Sequence, residues 1–307
     1  MNAVLALDIG GTKIAAGVVA EDGTVLSSSL AVTTPGGSAT QLWDATCEAL
    51  DAARAGYGGE IDGVGIGCGG PMQWPQGLIS PLNIPGWRDF PLLDRVRERY
   101  APGGEVRIHN DAICFALGES RYGASRGHPT SVSMVVSTGV GGGIIIDGNA
   151  VDGVSGNAGH IGHVVVDPDG PACACGGRGC LEAIASGPSL TAWAVSQGWR
   201  PQESGAEPTA RAVGSAAREG DPIAIAALRR AGEAVGVAVA SVAALLDVRI
   251  VVVGGGVAQT GDLLLGPARS AYARYAGLDF IRDLQIVPNA LGQQAGLIGA
   301  AALLMNA

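Results

Sequence analysis

Two stretches of this chain share one form: a run of apolar residues, a glycine-rich break and a second apolar run. The first is ALDIGGTKIAAGVV around Asp8, and the second is MVVSTGVGGGIII around Ser137. Both read as strand, tight turn, strand, a context that constrains the backbone more than any single residue does. Two copies are too few for a solenoid, so they point to two related α/β halves. Around the first copy, Asp22-Gly23 marks a further hairpin. Helical spacing over residues 39–55 leads to a buried strand at 61–70, and PLLDRVRERY puts Leu92, Leu93 and Val96 on one helical face. VRIHND then reads as a strand, and AICFALGESRYG as a helix closed by Gly123. In the second half, SVSMVVSTG is a strand, VGGG the turn, and IIIDGNAV a strand with another Asp-Gly turn. Helices dominate residues 188–246, followed by the strand VRIVVVGGGV, a helix at 260–276, the strand LQIVP and a terminal helix at 294–305. No low-complexity linker separates the halves, which are expected to pack around a cleft.

Composition removes several function classes. Hydrophobic residues make up 47% of the 307 and charged residues 15%, which excludes a disordered chain. The 50 glycines follow no collagen period. With a net charge of −9 the chain has too few cations to make a basic face for nucleic acid easily. The N-terminus lacks a basic segment and carries Asp8, unlike a secretion signal. The most apolar stretch, Ala234 to Val253, is interrupted by Asp247 and Arg249, and reads as a buried helix followed by a buried strand rather than a membrane span. Three cysteines are scattered and three are clustered, as expected in a reducing cytoplasm, where a cluster suggests metal rather than disulfide.

Several motifs carry chemistry. DIGGTK offers the backbone of Gly10 and Gly11, the Thr12 hydroxyl and Lys13, the sole lysine. Together they would form an anion-binding concavity, although a lone Gly-Gly also makes an ordinary hairpin. It is neither GxxxxGK[ST] nor GxGxxG. Asp8 beside it could hold Mg²⁺, usually through water. The second copy offers Thr138, Gly139, Gly141 and Gly142 in the same setting. Two such turns are hard to explain by packing alone and point to phosphate binding. A third turn, Gly254, Gly255 and Gly256, would let a planar base lie against backbone, and is equally a plain strand-to-helix turn. With the other two it suggests a nucleotide. In HND, Asp111 is a candidate general base and Asn110 a hydrogen-bonding group. An aspartate there could also simply cap the helix.

The sharpest local signal is GHIGHVVVDPDGPACACGGRGCLE. Cys173, Cys175 and Cys180 form C-x-C-x4-C, and His163 lies ten residues before the first of them. Three thiolates and an imidazole make a closed tetrahedral Zn²⁺ site, one that would order the loop rather than activate water. His160 and Glu182 flank it.

Taken together, DIGGTK, STGVGGG, HND and GHIGH…CACGGRGCLE resemble the ROK family (repressors, open reading frames and sugar kinases), and the likeness runs from Asp8 to the terminal helix. The resemblance implies an actin-like α/β fold of two ribonuclease-H-like domains around a cleft. Residues 1–115, completed by 292–307, would form the smaller, and 116–291 the larger, with the zinc-binding insertion at 153–182. It implies ATP-dependent phosphorylation of a sugar 6-hydroxyl, with the closing domains excluding water. By position, Asp111 matches the family's base and Asn110 its sugar-binding neighbour. Glu182 matches a sugar-binding glutamate, His163 a zinc ligand that also reaches the sugar, and Asn83 a further sugar contact. His160 stands where the family's glucokinases carry a glutamate, as it does in some bacterial N-acetylmannosamine kinases. It would shift specificity away from strict glucose, or else pack beside the zinc loop without meeting sugar. Some relatives accept polyphosphate, and a homodimer is the expected assembly. Two rivals are a sugar-responsive repressor and a catalytically dead sensor. Only seven residues precede Asp8, too few for a DNA-binding module.

Overall fold

The computed structural model describes residues 3–33, 36–81, 84–203 and 205–305. In chain order the elements are β1 (Ala3–Ile9), β2 (Lys13–Ala20), β3 (Val25–Val32), α1 (Ala39–Ala55), β4 (Gly63–Cys68), β5 (Met72–Gln73), β6 (Leu78–Ile79), β7 (Phe90–Pro91), α2 (Leu92–Tyr100), β8 (Glu105–Asn110) and α3 (Asp111–Tyr122). They continue with β9 (Ser131–Val136), β10 (Val140–Ile146), β11 (Asn149–Ala150), α4 (Leu181–Ala185), α5 (Gly187–Ser196), α6 (Ala210–Arg218), α7 (Pro222–Leu246), β12 (Ile250–Gly254), α8 (Asp262–Tyr275), β13 (Gln285–Pro288) and α9 (Ala295–Ala302).

The chain divides into two compact units. The first comprises Met1–Pro129, Gly143–Ala158 and Ala290–Ala307. Its main sheet has the order β3-β2-β1-β4-β8. The β1-β2-β3 meander is antiparallel, whereas β1, β4 and β8 run parallel. Successive side chains on a strand point to opposite faces. On β1, Ala3, Leu5, Leu7 and Ile9 therefore enter one core with α1 and α2 residues, while Val4 and Ala6 enter another with α9. Both faces are covered, so the strand reads as an unbroken apolar run. Asp8 continues the Val4–Ala6 series and points towards α9. A Cβ on Gly296, in the first turn of that helix, would lie 2.6 Å from its Oδ2. Helix α1 starts at a capping box, in which Ser38 accepts from the Gln41 N–H and Gln41 accepts from the Ser38 N–H.

The second unit comprises Thr130–Gly142 and Gly159–Asn289. Its sheet has the order β11-β10-β9-β12-β13, with β12 parallel to both β9 and β13. Strand β10 begins in this unit and ends in the first. Helix α7 is capped by Asp221, which accepts from the Ile223 and Ala224 N–H groups at 2.9 and 2.8 Å, with Pro222 in its first turn. It ends at Asp247, which adopts φ 48°. The apolar stretch from Ala234 is thus a helix end, a left-handed turn and the fully buried β12. No helix among the described residues is long and apolar enough to cross a membrane.

The second strand–turn–strand copy departs from the sequence reading in one respect. The turn is Ser137–Gly139, closed by the Ser137 N–H on the Gly139 carbonyl at 2.9 Å, and β10 already begins at Val140. Glycines 141 to 143 are strand residues. At Gly143 the requirement is space: a Cβ there would lie 2.6 Å from that of Ala116 on α3.

Candidate active site

In the first unit the candidate residues gather at the carboxyl ends of parallel strands, where open α/β sheets bind ligands. Asp8 pairs in register with Gly67 of β4, and Gly67 with His109 of β8. Strand β8 runs straight into α3. The cap belongs to Asn110, whose Oδ1 accepts from the Ala112 N–H at 3.0 Å. The amide NH₂ of Asn110 is not used by this cap. Asp111 is the first helical residue, and its Oδ1 also accepts from the Ala112 N–H, at 2.8 Å. Helix capping therefore accounts for Asn110 and does not require Asp111. Burial raises the Asp8 carboxyl to about 7, the nearby Asp111 charge adds to the rise, and Lys13 opposes it. Although packing drives that shift, Asp8 keeps a partly exposed edge.

The first glycine turn is braced from within. Gly10 donates its N–H to the Lys13 carbonyl at 2.9 Å, and the Thr33 hydroxyl donates to the Gly10 carbonyl at 2.9 Å. Gly10 thus serves the hairpin itself. Thr12 and Lys13 are exposed, and Gly11 is half-buried. Asn83 lies outside the described residues.

In the second unit the cysteine cluster assembles as its spacing predicts. The ligand atoms of His163, Cys173, Cys175 and Cys180 all lie within 4.8 Å of one another. His163 Nδ1 is 3.8 Å from the Cys173 sulfur, and the Cys175 and Cys180 sulfurs are 3.8 Å apart. Tetrahedral Zn²⁺ with bonds of ~2.3 Å to sulfur has edges of ~3.8 Å, so donor set and spacing fit the ion. The loop closes on itself through the Cys173 N–H to the Gly177 carbonyl and the Leu181 N–H to the Val164 carbonyl. The exposed His160 ring stacks on that of His163 at 6.3 Å between centroids. Glu182, in the first turn of α4, accepts from the Val140 N–H at 2.8 Å. The end of the cysteine loop is thereby tied to the first residue of β10, next to the second glycine turn.

The same unit holds an open cavity of about 950 Å³. Of the residues expected around phosphate and base, Thr138 and Gly256 line it. Gly254 ends β12, and Gly255 is packed under the Val136 backbone at φ 96°. Gly139 and Gly141 do not line the cavity. The helices add Thr191, Arg211 and Arg218 to its wall. Nothing local in the sequence marked these three, because they reach the cavity only through helix packing. A second omission is the partner of His109, the buried residue preceding Asn110. Its Nε2 lies 2.9 Å from Oδ1 of Asp152, 43 residues away in sequence.

The sequence matches the ROK family over residues 4–307. It is 36% identical to a glucokinase of Streptomyces coelicolor, over 99% of this chain and 98% of that one. It is 34% identical to an N-acetylmannosamine kinase of Yersinia pseudotuberculosis, over 98% of each. Among solved structures, a ROK family glucokinase from Streptomyces griseus in complex with glucose and AMPPNP superposes with a TM-score of 0.86 at 37% identity, covering 98% of this chain and 99% of that one. With the strand-end acids and the Cys₃His cluster in position, and with likeness at this level along its whole length, the chain belongs to the ROK family.

Proposed function

We propose that this protein transfers the γ-phosphoryl group of ATP to the 6-hydroxyl of a hexose or N-acetylhexosamine. The observation that carries the reading is the position of Asp111, a carboxylate at the end of a parallel strand, close enough to Asp8 to raise its pKa and not needed as a helix cap. The glucose and AMPPNP held by the Streptomyces griseus relative support sugar and ATP as the two substrates.

In this reading Asp111 accepts the proton of the sugar 6-hydroxyl as that oxygen attacks the γ-phosphorus, and the bond to the β-phosphate oxygen breaks to release ADP. Asn110 donates its amide hydrogens to a neighbouring hydroxyl. Asp8, crowded by Asp111 and opposed only by Lys13, suits a residue that meets a cation in its working state, and would hold Mg²⁺. Bound Mg²⁺ supplies charge neutralisation on the β- and γ-phosphate oxygens. Gly11, Thr12 and Lys13 would contact phosphate, as would Thr138 and Gly139. The cavity lined by Thr138 and Gly256 has room for the adenosine moiety. His163, Cys173, Cys175 and Cys180 would hold a Zn²⁺ with every position filled by protein, so its role is to fix the loop carrying His160, His163 and Glu182. Asn83 would add a sugar contact. We read the protein as a cytoplasmic homodimer, a state that light scattering would measure.

Within this reading, His160 bears on which sugar is taken. A histidine can donate to an acetamido carbonyl, whereas a glutamate there would oppose acceptor to acceptor. The ring is exposed beside His163, and on this donor argument we read the sugar as an N-acetylhexosamine such as N-acetylmannosamine. A coupled assay with MgATP over a panel of hexoses and N-acetylhexosamines tests both levels. Turnover of at least one sugar is expected. No turnover of any would overturn the kinase reading in favour of a sugar-binding regulator.

A further inference from the structure

We propose that His109 is a positioning residue for Asn110 and Asp111, tying the end of β8 through Asp152 to the segment that leads into the cysteine loop. The inference rests on the reading of Asp111 as the base. His109 is only 4% exposed and immediately precedes the two residues whose placement matters most. Its Nδ1 accepts from the Asn110 N–H at 2.8 Å. That bond assigns the ring proton to Nε2, which donates to Asp152 Oδ1 at 2.9 Å. Both ring nitrogens are therefore committed, one to each side of the tie. The orientation of the peptide entering α3 is held twice, by the Asn110 side chain on the Ala112 N–H and by the Asn110 N–H on the imidazole.

The far end of the tie is itself built into the first unit. The Asp152 carbonyl accepts from the Ala158 N–H at 3.0 Å. The Trp74 indole lies over the His109 ring, with centroids 5.6 Å apart and planes 30° apart. Behind it is Gly156, at φ 75°, where a Cβ would lie 2.6 Å from that of Trp74. On β8 the alternation that buries Val106 and Ile108 leaves Glu105 and Arg107 exposed, so His109 is the one buried residue on its own face of the strand. A leucine would fill the same space without holding the Asn110 peptide. Because a misplacement of ~1 Å at a reacting group can cost ~10²-fold in rate, loss of the tie should be read in turnover.

The test uses the full-length protein, MgATP and a sugar that the wild type phosphorylates. His109→Leu and Asp152→Leu should each lower kcat by about 10- to 100-fold while KM for ATP stays unchanged. The double variant should be no worse than either single change, as for two ends of one interaction. Asp152→Asn, which keeps an acceptor oxygen for Nε2–H, should retain most of the activity. Hydrogen exchange at the Asn110 amide should quicken in His109→Leu and Asp152→Leu but not in Asp152→Asn. A His109→Leu or Asp152→Leu enzyme with kcat within twofold of wild type would overturn the inference, as would single losses that multiply in the double variant. Should His109→Leu fail to fold, the partly exposed Asp152 carries the test alone. A wild type that phosphorylates no sugar would overturn the kinase reading instead. The tie would then be judged by Asn110 exchange, with unchanged protection in Asp152→Leu refuting it.

Discussion

Replacing Glu119, near the end of α3, should strongly destabilise the protein. Its side chain is wholly buried, and its carboxylate accepts from three backbone amides: Ala124 at 2.8 Å, Ala290 at 3.1 Å and Leu291 at 3.0 Å. The carboxylate ties the end of α3 to the segment that enters α9. Glu119→Ala leaves three buried donors without an acceptor, at about 1–3 kcal/mol each. Water entering the vacated space would recover part of that, and burying the charge was itself costly, so the net loss should be about 3–5 kcal/mol. At roughly 2–4 °C per kcal/mol for a chain of this size, Tm should fall by about 10 °C. Glu119→Gln keeps one oxygen but turns an NH₂ towards an amide donor, and should lose about half as much. Gly123→Ala offers an independent check, because a Cβ at that position would meet the Glu119 carboxylate. Calorimetric melting of the three variants measures the effect. A Glu119→Ala protein within about 1 kcal/mol of wild type would refute the reasoning, since three amides would then be satisfied without the carboxylate.

Other outcomes follow from the same structure. Because the folded protein holds the Asp8 proton up to about pH 7 while the unfolded chain releases it near 3.8, ionised Asp8 weakens the fold as pH rises through that window. Asp8→Asn should therefore be more stable than wild type at pH 8, by about 1–3 kcal/mol, with the gain vanishing near pH 4; a variant less stable at pH 8 contradicts this. Elemental analysis should find one Zn²⁺ per chain, and Cys175→Ser should lose metal, melting temperature and sugar affinity together, whereas a metal-free protein with full activity would exclude the site. His160→Glu should shift the kcat/KM ratio between glucose and N-acetylmannosamine towards glucose, and an unchanged ratio would remove His160 from specificity.

Local signals made much of this molecule legible. The unbroken apolar run of β1, the Asp22-Gly23 turn and the helical spacing of α1 act over a few residues and are visible in sequence. So is the Cys₃His cluster, because its four ligands, His163 to Cys180, fall within 18 residues of one another. Where glycine serves close approach rather than a turn, sequence misleads. The glycines of β10 read as a turn and are strand, and Gly123 ends α3 at φ −116°, outside the left-handed region that its identity suggested. Long-range pairs were invisible for a physical reason. Neither Glu119 with Leu291 nor His109 with Asp152 leaves a periodic trace, since the partners meet only after the chain has folded. HND reads as a functional segment, yet sequence gives its histidine no role because the partner, Asp152, lies in a different segment of the chain.

The central claim is that Asp111 is the base of a sugar kinase, and the most direct test compares kcat of Asp111→Asn with wild type at saturating MgATP and sugar, alongside calorimetric titration of the sugar. The account predicts a loss of about 10²-fold or more in kcat with sugar affinity largely retained, because asparagine preserves shape but cannot accept the proton. An Asp111→Asn enzyme that turns over at close to the wild-type rate would contradict it.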